Sequence, residues 1–175
     1  MELKDVISSR RSIRKFKEDL INEDIIMDAI RYGIMAPSAH NRQPWKVKLV
    51  KGEEKDKIAD ILYDKTIDIV GHTGPHTAGV IKSAPYLLLV FLDNINESDR
   101  DMDVLSIGGF VENILLYLTD LDMGNLWIGN TNIISDEIKE LLNINYESIS
   151  SIAIGVKDQD PKARPRKEFE EIILW

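Results

Sequence analysis

Arg10-Arg11-Ser12-Ile13-Arg14-Lys15-Phe16-Lys17 puts five cations among eight residues of a chain whose formal net charge is −8. Four more gather near the other end, at Lys162, Arg164, Arg166 and Lys167. An acidic protein that collects its positive charge in two short segments reads as one that builds a local anion site. Guanidinium groups fork onto phosphate oxygens, and the Ser12 hydroxyl adds a neutral donor. Taken alone, the first run is equally a solvated basic stretch after a helix. The second is equally a solubilising connector, although Pro161 and Pro165 stiffen it and a pre-ordered backbone loses less entropy on holding a ligand.

Composition bounds the rest. A length of 175 residues with 43% hydrophobic and 30% charged residues suits one globular domain over 1–175. The absence of cysteine excludes disulfides, thiolate nucleophiles, iron–sulfur clusters and cysteine-based zinc sites. The charged start, Met1-Glu2-Leu3-Lys4-Asp5, lacks the apolar run of a secretory signal. The longest apolar run, Tyr86 to Leu92, is too short to span a bilayer. A cytoplasmic protein without a membrane partner is expected. Net negative charge argues against nucleic acid, whose phosphates it would repel.

Hydrophobic spacing predicts an α+β fold. Leu3, Val6 and Ile7 mark a short helix over 2–9 that delivers the chain into the basic run. Asn22 caps a second helix, with Glu23 and Asp24 in its first turn and Ile25, Ile26, Ala29, Ile30 and Ile34 on one face, stopped by Pro37. Trp45, Val47 and Leu49 alternate as a half-buried strand, and Ile58, Ile61 and Leu62 mark a helix over 53–63. Gly71-His72-Thr73-Gly74-Pro75-His76 reads as a loop or broken helix. Tyr86 to Leu92, apolar on both alternations, predicts a central strand covered on both faces. A hydrophobic helix follows over 103–121, apolar on more than one face, which implies full burial or a subunit interface. Its Gly108-Gly109 pair implies close approach of another element, and Gly124-Asn125 should end it. Leu126 to Gly129 reads as a short strand or turn, Ser135 as the cap of a further helix, and 149–156 as a strand. The apolar tail from Phe169 to Trp175 predicts an extended segment that needs a partner.

Between two prolines lies Pro37-Ser38-Ala39-His40-Asn41-Arg42-Gln43-Pro44, whose amides and hydroxyl suit a planar heterocycle with several carbonyls and ring nitrogens, or simply a surface turn. His72 and His76 are four apart, but Gly74-Pro75 between them breaks a regular helix and no further ligand completes a metal set. No metal site is assigned. No Gly-x-Gly-x-x-Gly and no Walker sequence occurs, and no nucleophile or acid–base constellation stands out, so no residue is assigned as catalytic.

In order and spacing, these motifs resemble the nitroreductase family of FMN-dependent oxidoreductases. Ser9 to Phe16 resembles its N-terminal signature, and Pro37-Ser38-Ala39-His40-Asn41-Arg42-Gln43-Pro44-Trp45 its Pro-Ser-x-x-Asn-x-Gln-Pro-Trp motif. Leu126-Trp127-Ile128-Gly129 and Arg164-Pro165-Arg166-Lys167 resemble the third and fourth. Any one is weak; four in order are specific. The resemblance implies a central mixed or antiparallel sheet flanked by helices, in a homodimer with two FMN sites at the interface. Arg10, Ser12, Arg164 and Arg166 would hold the phosphate, Arg11 would belong to the cofactor site or face elsewhere, and Arg14 would lie near the pyrimidine edge of the ring. Pro37, Ser38, Asn41 and Gln43 of the partner subunit would contact ring and ribityl chain, while the backbone at Ile128 and Gly129 would meet the flavin near N5. The C-terminal segment would cross onto the partner's sheet.

The implied activity is reduction of a small organic acceptor, nitroaromatic or quinone-like, by NADH or NADPH in a ping-pong cycle. The cofactor would perform the electron chemistry while the protein supplies orientation and field, which accounts for the missing acid–base pair. Two other functions remain open to the sequence: a flavin-binding protein for storage, sensing or flavin processing, and an interaction domain whose basic clusters meet an acidic partner. Departures are local. Glu168-Phe169-Glu170 stands where the family usually has Pro-Leu-Glu, Gly108-Gly109-Phe110 replaces small residues and amides, and no ring-binding equivalent is mapped within 65–82.

Overall fold

The computed structural model describes residues 1–93 and 97–174. Strands β1 (Trp45–Lys51), β2 (Tyr86–Leu92), β3 (Met123–Ile128) and β4 (Glu147–Val156) form one sheet, ordered β1-β2-β4-β3, with every neighbour antiparallel. Helices α1 (Leu3–Ser9), α2 (Glu23–Gly33), α3 (Gly52–Thr66), α4 (Gly74–Ser83), α5 (Arg100–Asp120) and α6 (Ser135–Leu142) surround it. The fold is α+β, an antiparallel sheet flanked by helices.

Strand β2 divides the interior. All seven of its residues are buried. Leu87, Leu89 and Phe91 join Ile58, Leu62, Ile81 and Ile138 of α3, α4 and α6 on one face. Tyr86, Leu88, Val90 and Leu92 join Ile26, Phe110, Ile114 and Leu118 of α2 and α5 on the other. A strand covered on both faces needs apolar side chains at every position, and that is why the run is unbroken. Two polar groups that border this interior are paired. The Tyr86 hydroxyl donates to the Ile21 carbonyl at 3.0 Å. The buried Lys55 ammonium donates to the Ile81 and Lys82 carbonyls, both at 2.9 Å, and to Asp56 at 2.7 Å. A cation at the C-terminal end of α4 also suits the helix dipole.

Several local expectations are corrected. The chain leaves α5 through Asp122, at φ 61, while Gly124 lies inside β3. Ser135 is the first residue of α6 and caps nothing; its hydroxyl accepts from the Ser148 N–H at 2.8 Å and ties α6 to β4. The break at 71–76 resolves into a helix start, with Pro75 in the first turn of α4 and the His72 Nδ1 accepting from the Gly74 N–H at 2.9 Å. Among the described residues, no element presses on Gly108 or Gly109, where an added Cβ would meet Trp127 at 3.9 Å and Ala36 at 3.6 Å. The close approach falls on Gly33, whose Cβ would lie 2.9 Å from both Ile114 and Phe110. The tail is not extended throughout. Phe169–Glu171 forms a 3-10 turn closed by reciprocal bonds between Glu168 and Glu171, with Phe169, Ile172 and Leu174 exposed. Trp175 lies outside the described residues.

The basic run is pinned to the sheet by its two apolar residues. Ile13 and Phe16 are buried in the α3/α4/α6 core. The Ile13 N–H donates to Asn125 of β3, the Lys17 N–H to Val156 of β4, and the Asp158 N–H back to Lys15. Room for this docking comes from glycine. A Cβ on Gly155 would lie 2.5 Å from Pro85 Cδ and 3.2 Å from Phe16 Cδ1, and one on Gly124 would lie 3.1 Å from Ile13 Cγ2. Gly155→Ala therefore overpacks the seat of Phe16 and should cost about 1–3 kcal/mol. Thermal denaturation should show a fall in Tm of roughly 2–4 °C per kcal/mol for a chain of this size. An unchanged Tm would contradict the packing account.

Candidate functional site

Docking of Ile13 and Phe16 leaves the polar residues around them facing a cleft of about 640 Å³. Arg10, Arg11, Ser12 and Arg14 line one side, while Pro161, Lys162, Arg164 and Arg166 of the connector after β4 line the other. Two segments about 150 residues apart in sequence thus meet because the first rides on β3 and β4 and the second leaves from the end of β4. Arg10, Arg11, Ser12 and Arg14 are half-buried; Arg164 and Arg166 are exposed.

The charge of this cleft is uncompensated. Among the described residues, none of the nine cations of the two clusters pairs with a carboxylate, whereas every other Lys and Arg apart from Lys4 does. Arg11 donates to the Ser8 and Arg10 carbonyls and Arg14 to the Ser12 carbonyl at 3.3 Å, so their partners are neutral. The surface pairs elsewhere shift their own titrations. Lys46 is raised by its bond to Asp93, and Glu53 is lowered by its bond to Lys57. In an acidic chain with carboxylates to spare, a cleft that keeps five arginines away from them fits a multivalent anion such as a phosphate monoester.

Not every expected residue lies there. Pro37, Ser38, Asn41 and Gln43 are outside the cleft of their own chain, in a loop braced against α5. His40, Asn41 and Gln43 all take left-handed backbone angles, at φ 52, 54 and 50. Such residues cost roughly 1–3 kcal/mol each unless their surroundings over-determine them. The bracing is explicit: the Gln43 N–H donates to Ser38 Oγ at 3.0 Å and the Ala39 N–H to Ser106 Oγ at 3.3 Å. Ile128 is buried at the end of β3, and Gly129 borders a separate apolar groove of about 580 Å³ with Leu105 and Trp127.

Lys162 of the second cation cluster joins the cleft beside Arg164. Two features escaped the sequence reading. Arg14 also borders a second pocket of about 540 Å³, where α4 contributes His76, Gly79 and Ser83. This is the mid-chain region for which no ring-binding residue was mapped. Arg42, passed over inside its motif, forms a largely buried ion pair with Asp103 of α5. No local pattern signals a partner 61 positions away. Among the described residues, no group of three or more His, Asp or Glu side chains is placed to hold a metal ion.

A model of the Nitroreductase family matches residues 7–156. The protein YfhC of Bacillus subtilis, assigned by name to the NAD(P)H nitroreductases, is 25% identical, with 97% of this chain and 91% of that protein covered. A BluB-like flavoprotein from Clostridium difficile is 26% identical with a TM-score of 0.83, covering 100% of this chain and 99% of that one. A Desulfovibrio desulfuricans protein crystallised with FMN and described as a nitroreductase superposes with a TM-score of 0.82 at 24% identity, covering 100% and 96% of the two chains. The fold of this chain is theirs, and the chain belongs to the nitroreductase family.

Proposed function

We propose that this chain is an FMN-dependent oxidoreductase, working as a cytoplasmic homodimer, that takes electrons from NADH or NADPH and passes them to a small organic acceptor. The observation that carries this reading is the convergence of both cation clusters on one cleft without carboxylate partners. FMN supplies the two-electron chemistry when bound. The chain supplies position and field. Arg10, Arg11, Ser12, Arg164 and Arg166 would hold the phosphate by charge-assisted bonds, with Lys162 as a further cation. Arg14, between this cleft and the pocket beside α4, would stabilise negative charge at the pyrimidine edge and so raise the potential. Ser38, Asn41 and Gln43, which do not reach the cleft of their own chain, suit contacts made across a dimer. The Gly129 backbone would orient the ring near N5. Electron donor and acceptor using one site in turn would give ping-pong kinetics.

The likeness to a BluB-like flavoprotein supports a second reading, a flavin-binding protein with little reductase turnover. The visible spectrum of purified protein before and after anaerobic NADH or NADPH separates the two. A bound flavin that bleaches and recovers with a quinone or nitroaromatic supports the reductase. A bound flavin that neither nucleotide bleaches supports the second reading, and a colourless protein that FMN does not stabilise contradicts both.

Two substitutions divide the roles of the basic run. Arg10→Ala should weaken FMN binding by at least about tenfold, the equivalent of one charge-assisted hydrogen bond of about 1.5–3 kcal/mol. Arg14→Gln should lower the two-electron potential by on the order of 30 mV, equivalent to about 1.4 kcal/mol, with a smaller change in affinity. Equilibrium titration and anaerobic potentiometry check them. Equal effects of both changes on affinity would refute the division.

A further inference from the structure

The motif loop concentrates left-handed backbone angles. Three non-glycine residues within four positions have positive φ, a backbone region that side chains avoid. Local bonds from the Asn41 and Arg42 N–H groups to the Ser38 and Ala39 carbonyls, and from the Gln43 N–H to Ser38 Oγ, close the turn, and α5 anchors it. The Arg42 Nε donates to Asp103 Oδ1 at 2.9 Å, and Arg42 Nη2 lies 2.8 Å from the same oxygen, short of hydrogen-bond geometry. Asp99 stands 3.7 Å from Arg42 Nη1. Asp103 is 2% exposed, although carboxylates are almost never that deeply buried unless paired. One turn on, Ser106 accepts from the Ala39 N–H and donates to the Met102 carbonyl at 2.8 Å. On the far side, the Trp45 ring stacks on Phe110 of α5, with centroids 5.0 Å apart.

The loop is therefore held at three successive turns of one helix, by an ion pair, a hydroxyl and a ring. Between these holds, Asn41 and Gln43 are exposed, and the Gln43 Nε2 donates to Asn41 Oδ1 at 3.3 Å. That bond orients both amides. It leaves Asn41 Nδ2 as a donor and Gln43 Oε1 as an acceptor, free of other bonds among the described residues. Such a pair complements the alternating N–H and C=O groups of a heterocycle edge.

We propose that Arg42 is a positioning residue: its buried ion pair with Asp103 sets the left-handed conformation of Asn41 and Gln43 before ligand binds, so that both amides meet the flavin without an ordering cost. Pre-organisation of this kind raises affinity by removing a cost and adds no contact of its own. The inference rests on the flavin reading above.

The test compares Arg42→Met/Asp103→Leu with the parent. The double change removes both charges together, because leaving Asp103 alone would bury an unpaired carboxylate. Three quantities are read: the melting temperature, hydrogen exchange of the 39–43 amides without ligand, and FMN affinity with the visible spectrum of the complex. The expected result is a folded variant with faster exchange at 39–43, at least tenfold weaker FMN binding and a bound spectrum moved toward that of free FMN. Arg42→Lys, which keeps the charge but not the planar fork, should fall between them. If the double variant does not fold, Arg42→Lys is read in its place, with faster exchange at 39–43 and weaker FMN binding expected at smaller size. A folded variant with parental exchange and FMN affinity within about twofold would overturn the proposal. Failure of the parent or of Arg10→Ala to behave as the flavin reading requires would appear in the controls, and would overturn both.

Discussion

The seating of Ile13 and Phe16 against Gly124 and Gly155 is the contact on which the arrangement of the site depends. A Cβ at either glycine would lie 3.2 Å or less from one of these side chains. With both seated, backbone bonds from Ile13 to β3 and from Lys17 to β4 fix the register of the segment. Apolar residues go down into the core and Arg10, Ser12 and Arg14 are left facing the cleft. The connector that leaves the end of β4 brings the second cation cluster to the same place. Charge is thus concentrated by ordinary packing: two buried side chains decide where the arginines stand.

That concentration has an energetic meaning. A protein with net charge −8 could neutralise its arginines with its own acids, as it does for Arg31, Arg42 and Arg100. It leaves those of the cleft unpaired, which stores mutual repulsion that a bound anion relieves. The motif loop follows a related logic, since its left-handed residues are held against strain by α5. In both places stability is given up locally and kept elsewhere, in a sheet whose central strand is buried on both faces.

The sequence made much of this legible. The unbroken apolar run of β2, the Asn22 cap of α2 and the two cation clusters are local signals, and each corresponds to a feature of the structure. Less legible were features set by partners far along the chain. Gly124 looks like a helix terminator, yet it is kept small by Ile13 and Lys157. Ser135 looks like a cap, yet Ser148 uses its hydroxyl. Arg42 looks like a variable position, yet Asp103 gives it a structural role. Composition reports what a residue is able to do, and long-range packing selects among those uses.

The claim at the centre of this account is that the two cation clusters form one phosphate site. The ratio of the dissociation constants for riboflavin and FMN, measured at low and at high salt, tests it most directly, because the two ligands differ only in the phosphate. The account predicts FMN bound at least about a hundredfold more tightly at low salt, as two or more charge-assisted bonds of about 1.5 kcal/mol each require. It predicts that the preference shrinks as salt rises and is largely lost in an Arg10→Ala/Arg166→Ala variant. Equal affinity for the two ligands, or a preference that survives both substitutions, would contradict it.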